Sequence, residues 1–329
     1  MSFGVTNKQD GRRLMLVIAA FFAIYIFWGS TYLAIKYAIE TMPPFIMAGT
    51  RFLFAGGLLF VASIWTKDFE WPSWRHWRTS LIVGTLLLLG GNGGVVFAEK
   101  YISSGLAALL IAAEPFWIVV LSWLWLKRGR PGKPVIIGLV IGFIGVALLV
   151  VGQNGSNIGQ SSYYQTLATI SVLLAGVAWA VGSLYGIKAE APKSAILTSG
   201  MQMLSGGAVL MLTGSIRGEW STFAIANVST NSWLGLGYLI VFGSLIGFTA
   251  YSWLLKNAQP SMVATYAYVN PVIAVILGWL IAGETITGQI LVGAGLVVAS
   301  VVLVTMQNNP QETSDDDICM SIEPSRASA

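Results

Sequence analysis

The stretch LLIAAEPFWIVVLSWLW, residues 109–125, places a carboxylate and a proline at the centre of an apolar run. Both are unfavourable there. The Glu114 carboxylate has to leave water. Pro115 removes a backbone N–H and clashes with the carbonyl of Ile111. In hydrocarbon, such groups are tolerated only against protein or a water-filled cavity. The stretch therefore predicts a bent membrane helix that faces a polar space.

The whole chain has the composition of a multi-pass membrane protein. Its 329 residues are 55% hydrophobic and 10% charged, whereas a typical soluble domain has about 25% charged residues. The net charge of +4 is small, and no Lys/Arg cluster is interleaved with aromatic residues, so no nucleic acid partner is expected. The single cysteine, Cys319, can form neither an internal disulfide nor a cysteine metal site. We expect no metal and no cofactor.

Ten apolar runs are long enough for helices that cross a bilayer, which need about 20 residues each. They cover residues 14–35, 45–65, 79–98, 104–126, 134–152, 166–187, 195–214, 232–254, 261–282 and 288–306. The polar breaks between them are short and rich in turn residues, so no soluble domain fits between spans. The sequence therefore predicts an all-α polytopic membrane protein with ten transmembrane helices. Residues 1–13 are predicted to be a cytoplasmic segment, and the polar residues 307–329 a disordered cytoplasmic tail.

Internal similarity divides the ten runs into two sets of five. GSTYLAIK (29–36) resembles GSLYGIK (182–188), AGTRFLFAGG (48–57) resembles SGMQMLSGG (199–207), and EPFWIVVLSWL (114–124) matches NPVIAVILGWL (270–280). Because five is odd, the second copy must enter the membrane upside down, and inverted repeats are typical of secondary transporters. We predict two inverted five-helix repeats, 14–152 and 166–306, joined by a linker over 153–165.

The Lys and Arg residues predict that both termini are cytoplasmic. In that orientation 14 of the 18 lie on the inner side, and three lie on the outer side, namely Lys36, Lys100 and Arg217. The remaining one, Arg51, falls within the second span. Cytoplasmic loops of membrane proteins carry such an excess of positive charge. We therefore expect a multi-pass protein of a bacterial inner (plasma) membrane.

Three long segments resemble the EamA family of the drug/metabolite transporter superfamily. They are FWGSTYLAIKYAIETMPPFIMAGTRFLFAGGLLF (27–60), YISSGLAALLIAAEPFWIVVLSWLW (101–125) and GSLIGFTAYSWLLKNAQPSMVATYAYVNPVIAVILGWLIAGETIT (243–287). The resemblance covers nearly all of 14–306 and implies a ten-helix inner-membrane carrier, many of which export amino acids or other small metabolites. Members often end the fourth and ninth spans with Gly-Glu. Gly283-Glu284 fits this pattern, but the fourth span ends Leu126-Lys127-Arg128, so Glu284 lacks a counterpart in the first repeat.

Polar and aromatic residues near the middle of the spans are the candidates for a substrate cavity. Glu114 and its repeat mate Asn270 stand beside Pro115 and Pro271, and two bent helices in inverted repeats predict a shared central cavity. Burial disfavours the ionised form of a carboxylate, so Glu114 is a candidate for binding substrate or a proton. We predict that the cavity is lined by Trp28, Thr31, Tyr32, Asn92, Glu114, Trp117, Trp179, Ser183, Tyr266 and Asn270.

Other interpretations of these residues stay open at this point. One alternative is that Glu114 pairs with Arg51, and another is that it accepts hydrogen bonds from backbone groups freed by the proline. For Arg51 the alternatives are snorkelling to the outer surface, pairing with Glu114, and binding a substrate carboxylate. The aromatic residues and Asn92 belong either to the cavity or to helix packing. Glu99 and Lys100 are expected on the outer rim, with lining of the cavity as the alternative for Glu99, which is seven residues from Asn92 and shares its helical face.

The sequence favours a secondary transporter that exports small metabolites, such as amino acids or related amphipathic solutes, by alternating access. Its partners are then a small-molecule substrate and membrane lipid, and the proton is a candidate coupling ion. Multidrug efflux is the alternative within this class. The sequence contains no Walker A motif to bind ATP, and no paired aspartates, His-Glu-x-x-His or Gly-x-Ser-x-Gly motif. An intramembrane enzyme is therefore disfavoured, and the inverted repeats favour a carrier over a channel.

Overall fold

The structure, a computed structural model, describes residues 8–126, 132–153, 161–257 and 266–306. In these ranges the chain is helical and contains no strand. The α-helices are α1 Lys8–Ala23, α2 Gly29–Ala38, α3 Pro44–Ser63, α4 Trp74–Gly84, α5 Gly94–Ala98, α6 Ser104–Ile111, α7 Glu114–Leu126, α8 Lys133–Gln153, α9 Ser161–Lys188, α10 Ala195–Ile216, α11 Thr230–Tyr238, α12 Gly247–Asn257, α13 Tyr266–Ala282 and α14 Gly288–Met306. The predicted tail at 307–329, with Cys319, lies outside the described residues, as does 154–160 of the predicted linker.

Seven helical segments are long and apolar enough to cross a membrane. They are Leu14–Ala38, Pro44–Ser63, Trp74–Ala98, Ser104–Trp125, Tyr163–Lys188, Ala195–Ile216 and Thr230–Tyr251. Three shorter apolar helices, Ile136–Leu149, Val269–Ala282 and Gly288–Ser300, fall within the fifth, ninth and tenth predicted runs. The all-helical, multi-pass class is thus confirmed for the described part of the chain. The count of ten spans stays a prediction.

Three of the spans change from α-helical to π-helical winding partway along their length. Stretch π1, Ile24–Trp28, joins α1 to α2; π2, Thr85–Gly93, joins α4 to α5; and π3, Leu239–Ile246, joins α11 to α12. A π-helix has i→i+5 hydrogen bonds, is rare, and often occurs at functional sites. These stretches were not predicted from the sequence.

The prolines beside Glu114 and Asn270 have different effects on their helices. The predicted run 104–126 is interrupted at residues 112–113, between α6 and α7. Pro115 therefore lies in the first turn of α7, where its missing N–H has no helical partner to lose. In contrast, Pro271 lies inside α13, and that helix continues through it.

Close packing of α3 against α10 depends on four glycines. On α3, Gly49 faces Gly207 and Met211 of α10, while Gly56 faces Gly200 and Leu204. A Cβ atom at residue 56 would lie 2.8 Å from the backbone nitrogen of Leu204, which is closer than side chains normally approach. Small residues let membrane helices approach to backbone contact. The two helices therefore form a closely packed pair within the bundle.

This contact predicts that two adjacent glycines respond oppositely to the same change. Gly56→Ala should lower the melting temperature, since overpacking a tight contact destabilises by about 1–3 kcal/mol. Gly57→Ala is the matched control, because a Cβ there meets nothing within 4 Å and alanine is the better helix former. Thermal unfolding of the two purified variants, followed by tryptophan fluorescence, makes the comparison. Equal melting temperatures would contradict the packing.

Candidate functional site

A cavity of about 90 Å³ lies in the centre of the bundle. One water molecule needs about 10–15 Å³ of such space, so the cavity has room for several. It is lined by Trp28, Thr31, Tyr32, Ile35, Arg51, Gly91, Asn92, Val95, Ile111, Glu114, Ala175, Trp179, Phe248, Tyr266 and Asn270. Both predicted repeats contribute residues, and the π-helical stretches π1 and π2 border it directly.

Eight of the ten predicted cavity residues line this space. They are Trp28, Thr31, Tyr32, Asn92, Glu114, Trp179, Tyr266 and Asn270, and Arg51 joins them. Trp117 lines a second, apolar cavity of about 460 Å³ instead. Its ring packs on α9, where a Cβ at Gly176 would lie 3.2 Å from the indole Cδ1. Ser183 lies one turn beyond Trp179 on α9 and is not among the lining residues.

Trp28, at the end of π1, is the centre of an aromatic cluster on the cavity wall. Its ring centroid lies 5.0 Å from that of Tyr251 and 5.3 Å from that of Tyr266, the latter at an interplanar angle of 89°. Phe248 and Trp179 complete the cluster at 5.7 Å and 6.4 Å. Edge-to-face pairs of this kind are the favoured geometry for aromatic rings. The indole Nε1 also donates to the Gly243 carbonyl of π3 at 3.1 Å, which fixes the ring.

Arg51 is a buried cation with spare hydrogen-bonding capacity. Its side chain is 3% exposed, Nε donates to Ser244 Oγ at 2.8 Å, and the guanidinium carbon lies 4.6 Å from the Phe52 ring centroid. Nη2 lies against Gly243, where a Cβ would be only 2.7 Å away. Nη1 has no hydrogen-bond partner among the described residues. Arg51 thus neither snorkels to the surface nor, within the described part of the chain, forms an ion pair with Glu114.

Glu114 and two asparagines supply the acceptors of the cavity. The Glu114 side chain is buried, with 6% exposure, and the Tyr266 hydroxyl lies 3.5 Å from its Oε1, the long limit of a hydrogen bond. The Oδ1 atoms of Asn92 and Asn270 are buried and accept no hydrogen bond from any described residue. Buried polar atoms are normally satisfied. Within the part of the chain that the structure describes, the cavity therefore has one buried unpaired donor group, Arg51 Nη1, and two buried unpaired amide oxygens, which a polar solute or water would pair.

A second polar cluster surrounds Glu284, at the end of the bundle where α2 ends and α6 begins. Glu284 Oε1 accepts from Lys36 Nζ at 2.8 Å, and the carboxylate also accepts from the backbone N–H groups of Ser104 at 2.9 Å and Gly105 at 3.2 Å. Burial alone would raise the pKa of Glu284, but the Lys36 and Ser104 hydrogen bonds outweigh it and lower that pKa below its usual value. Gly283, with φ +63°, makes the turn that delivers Glu284 there. Glu284, which lacks a repeat counterpart, thus contacts residues of the first predicted repeat.

Glu99 was predicted to lie on an exposed outer rim, and this prediction is wrong. Its side chain is 6% exposed, and neither carboxylate oxygen has a hydrogen-bond partner among the described residues. Lys100 beside it is exposed, as expected. The expectation failed for Glu99 because a position just past a span does not reveal which neighbouring helix covers it.

A helical multi-pass bundle around a cavity with buried ionisable groups is an arrangement that membrane transport proteins use to bind and pass solutes. The sequence profile of the EamA-like transporter family matches residues 15–151 and again residues 166–306. The chain belongs to this family. It is a transporter and not an enzyme.

Individual relatives extend over nearly the whole chain. An uncharacterized inner membrane transporter of Escherichia coli (strain K12), YedA, is 37% identical over 90% of this chain and 92% of its own length. A probable amino-acid metabolite efflux pump of Salmonella typhimurium (strain LT2) is 26% identical over 90% of this chain and 95% of its own. A crystal structure with 18% identity matches the fold with a TM-score of 0.61, over 88% of this chain and 96% of that one.

The separation of Arg51 from Glu114 predicts that the two residues contribute independently to stability. Glu114→Gln should leave the melting temperature near that of the wild type, because it breaks no ion pair. Adding Arg51→Gln should restore nothing, and the interaction energy between the two changes should stay below the roughly 3–5 kcal/mol associated with breaking a buried ion pair. Thermal unfolding of the wild type, both single variants and the double variant measures this. A double variant more stable than either single one would mean that the residues pair.

Proposed function

We propose that the chain is a ten-span secondary transporter of the bacterial inner membrane that exports small metabolites, such as amino acids or related amphipathic solutes, by alternating access. The observation that carries this proposal is the central cavity, in which buried charged and amide groups face an aromatic wall. Small-molecule sites combine a mostly apolar lining with a few placed polar groups in this way. The cavity residues Glu114, Arg51, Asn92 and Asn270 are proposed to contact the solute.

The packing of the helices supports two inverted repeats. Gly49 and Gly56 of the first repeat align with Gly200 and Gly207 of the second in the two similar segments. Across the α3–α10 contact Gly49 meets Gly207, and Gly56 meets Gly200. Exchanging the two repeats turns one of these contacts into the other, as expected for a two-fold axis between the helices. The stretches π2 and π3 likewise fall in the third and eighth predicted spans, which are repeat mates.

The chemistry of the cavity supports a solute that carries both an acceptor and a donor. The free Nη1 of Arg51 suits a carboxylate, because a guanidinium stays charged and donates along a planar edge. The Oδ1 atoms of Asn92 and Asn270 and the Glu114 carboxylate suit an ammonium or amide N–H. The aromatic cluster around Trp28 suits an apolar portion. The printed description of the Salmonella relative as a probable amino-acid metabolite efflux pump is consistent with this class.

Multidrug efflux is the second candidate function, and the same polar groups argue against it. Apolar compounds would leave the buried polar atoms of the central cavity without hydrogen-bond partners. Because an unpaired buried polar group is destabilising, such a cavity would bind these compounds poorly. The apolar cavity beside Trp117 is the feature that favours efflux of apolar compounds. Measuring the uptake of amino acids and of dyes separates the two functions.

Uptake into reconstituted vesicles tests the proposed function. Labelled amino acids, diamines and cationic dyes are offered to vesicles with and without a pH gradient. We expect saturable uptake and counterflow of an amino-acid-like solute, with transport in Glu114→Gln reduced by about tenfold, equivalent to about 1.4 kcal/mol. Trp117→Phe, outside the central cavity, is the matched control and should transport as the wild type. Flux that never saturates would indicate a channel, and transport of dyes alone would indicate drug efflux.

The orientation of the chain is tested with its single thiol. The excess of Lys and Arg on one side predicts a cytoplasmic C-terminus, so an impermeant maleimide should label Cys319 only after cells are permeabilised. The control is Glu40→Cys in a Cys319→Ser background, because Glu40 is exposed in the structure and is predicted to face outward. Labelling of Cys319 in intact cells would reverse the proposed orientation.

A further inference from the structure

Glu99 is a buried carboxylate that the central cavity does not use. It follows the last residue of α5 and lies near Lys36 and Glu284, at the end of the bundle that the charge bias assigns to the outside. Its side chain is 6% exposed, and both carboxylate oxygens lack a partner within the described ranges. It is absent from the residues that line the central cavity.

The surroundings of Glu99 favour its neutral form. An ionised carboxylate buried without a partner is destabilised by several kcal/mol. The position just after the end of α5 adds to this, because a helix C-terminus carries partial negative charge. Burial, and then the nearby Glu284 carboxylate, raise the pKa of Glu99 well above its usual range, and Lys36 offsets this in part. Glu284 itself is ionised and bonded to Lys36.

The charged and titratable groups around Glu99 come from several elements. Glu99 interacts electrostatically with Lys36 and Tyr32 of α2 and with Glu284, which lies in the segment between α13 and α14. On its own segment Lys100 points to solvent. Farther out, Tyr101 stacks on Tyr164 of α9 at 5.2 Å, and Arg217 lies 5.7 Å from the Phe97 ring centroid. Lys36 is therefore the cation that Glu99 would share with Glu284 if it ionised.

We propose that Glu99 is a proton-binding site, separate from the solute cavity, that holds a proton while this end of the bundle is closed. The inference rests on the proposed carrier function. When this end opens, the carboxyl group gives its proton to water and becomes a carboxylate. That carboxylate competes with Glu284 for the Lys36 ammonium. The contact that joins α2 to the segment after α13 is thereby weakened, and proton release favours the open form.

The direction of the pH dependence follows from this arrangement. The carboxyl pKa is raised in the closed form and near its ordinary value, about 4.3, once water reaches it. Protonated Glu99 therefore stabilises the closed form, and this stabilisation is complete below about that pH. It is lost as the pH rises through the raised pKa of the closed form. A one-proton equilibrium changes by at most about tenfold per pH unit in this window.

Infrared spectroscopy tests for the proton directly. In a Glu114→Gln background, which removes the buried carboxylate of the central cavity, we expect the C=O stretching band of a protonated carboxyl group at neutral pH. Glu99→Gln should abolish this band, and the matched control Glu40→Gln, at an exposed position, should keep it. Raising the pH should remove the band from the protein that retains Glu99. A spectrum without the band, or one that Glu99→Gln leaves unchanged, would overturn the proposal.

The link to closure is measured through a cysteine placed at the closed end. Ile102→Cys, at a buried position, is made in a Cys319→Ser background and labelled with a water-soluble maleimide in purified protein. The same thiol in denatured protein supplies the intrinsic pH dependence of the labelling reaction. After correction for this intrinsic dependence, the labelling rate of the folded protein should still rise with pH, by up to tenfold per pH unit. Glu99→Gln should abolish that rise. An identical rise in Glu99→Gln would contradict the link.

These measurements separate failure of the inference from failure of the proposed function. Vesicles containing a trapped pH-sensitive dye are offered a mixture of the twenty proteinogenic amino acids. Proton movement in the wild type that is lost in Glu99→Gln and kept in Glu40→Gln supports both. No movement in the wild type counts against amino acid export coupled to protons, whereas the infrared band still reports on Glu99. Movement that Glu99→Gln leaves unchanged overturns Glu99 as the coupling site.

Discussion

The backbone contact between α3 and α10 is the constraint on which the rest of the bundle depends. Arg51 lies on α3 between Gly49 and Gly56, the two residues that meet α10 most closely. The crossing therefore holds in place the helix that carries Arg51. From this helix Nε of Arg51 reaches Ser244 of π3. Close packing of small residues in this way sets the position of a charge inside the membrane.

Periodicity and polarity along single spans predicted much of the fold and most of the cavity. Glu114 and Asn270 were found because a polar residue beside a proline is conspicuous in an apolar run. Trp117 was wrongly predicted to line the central cavity because it follows Glu114 by three residues, and residues three apart share a face of a helix. Only packing decides which neighbouring helix that face contacts. Along one chain, nothing distinguishes a ring that lines a cavity from one that packs on a glycine such as Gly176.

The features that escaped prediction depend on contacts between distant segments or on winding. The π-helical stretches have no residue signature comparable to a proline or a cap. Ser244 became relevant only because π3 brings it to Arg51, 193 positions away in sequence. Glu284 and Glu99 illustrate the same limit, since both are glutamates just beyond a span. One has four hydrogen bonds from Lys36, Ser104 and Gly105, and the other has none among the described residues.

The hydrogen bond from Trp28 Nε1 to the Gly243 carbonyl ties the cavity wall to the winding of a helix. That carbonyl belongs to π3, where each hydrogen bond spans one residue more than in an α-helix. If π3 rewound by one residue, the carbonyl would turn by about 100° around the helix axis and release the indole. The Trp28 ring would then be free to leave its neighbours. The bundle thus contains a mechanical connection by which a local change of pitch, with no movement of the loops, reshapes the space available to a solute.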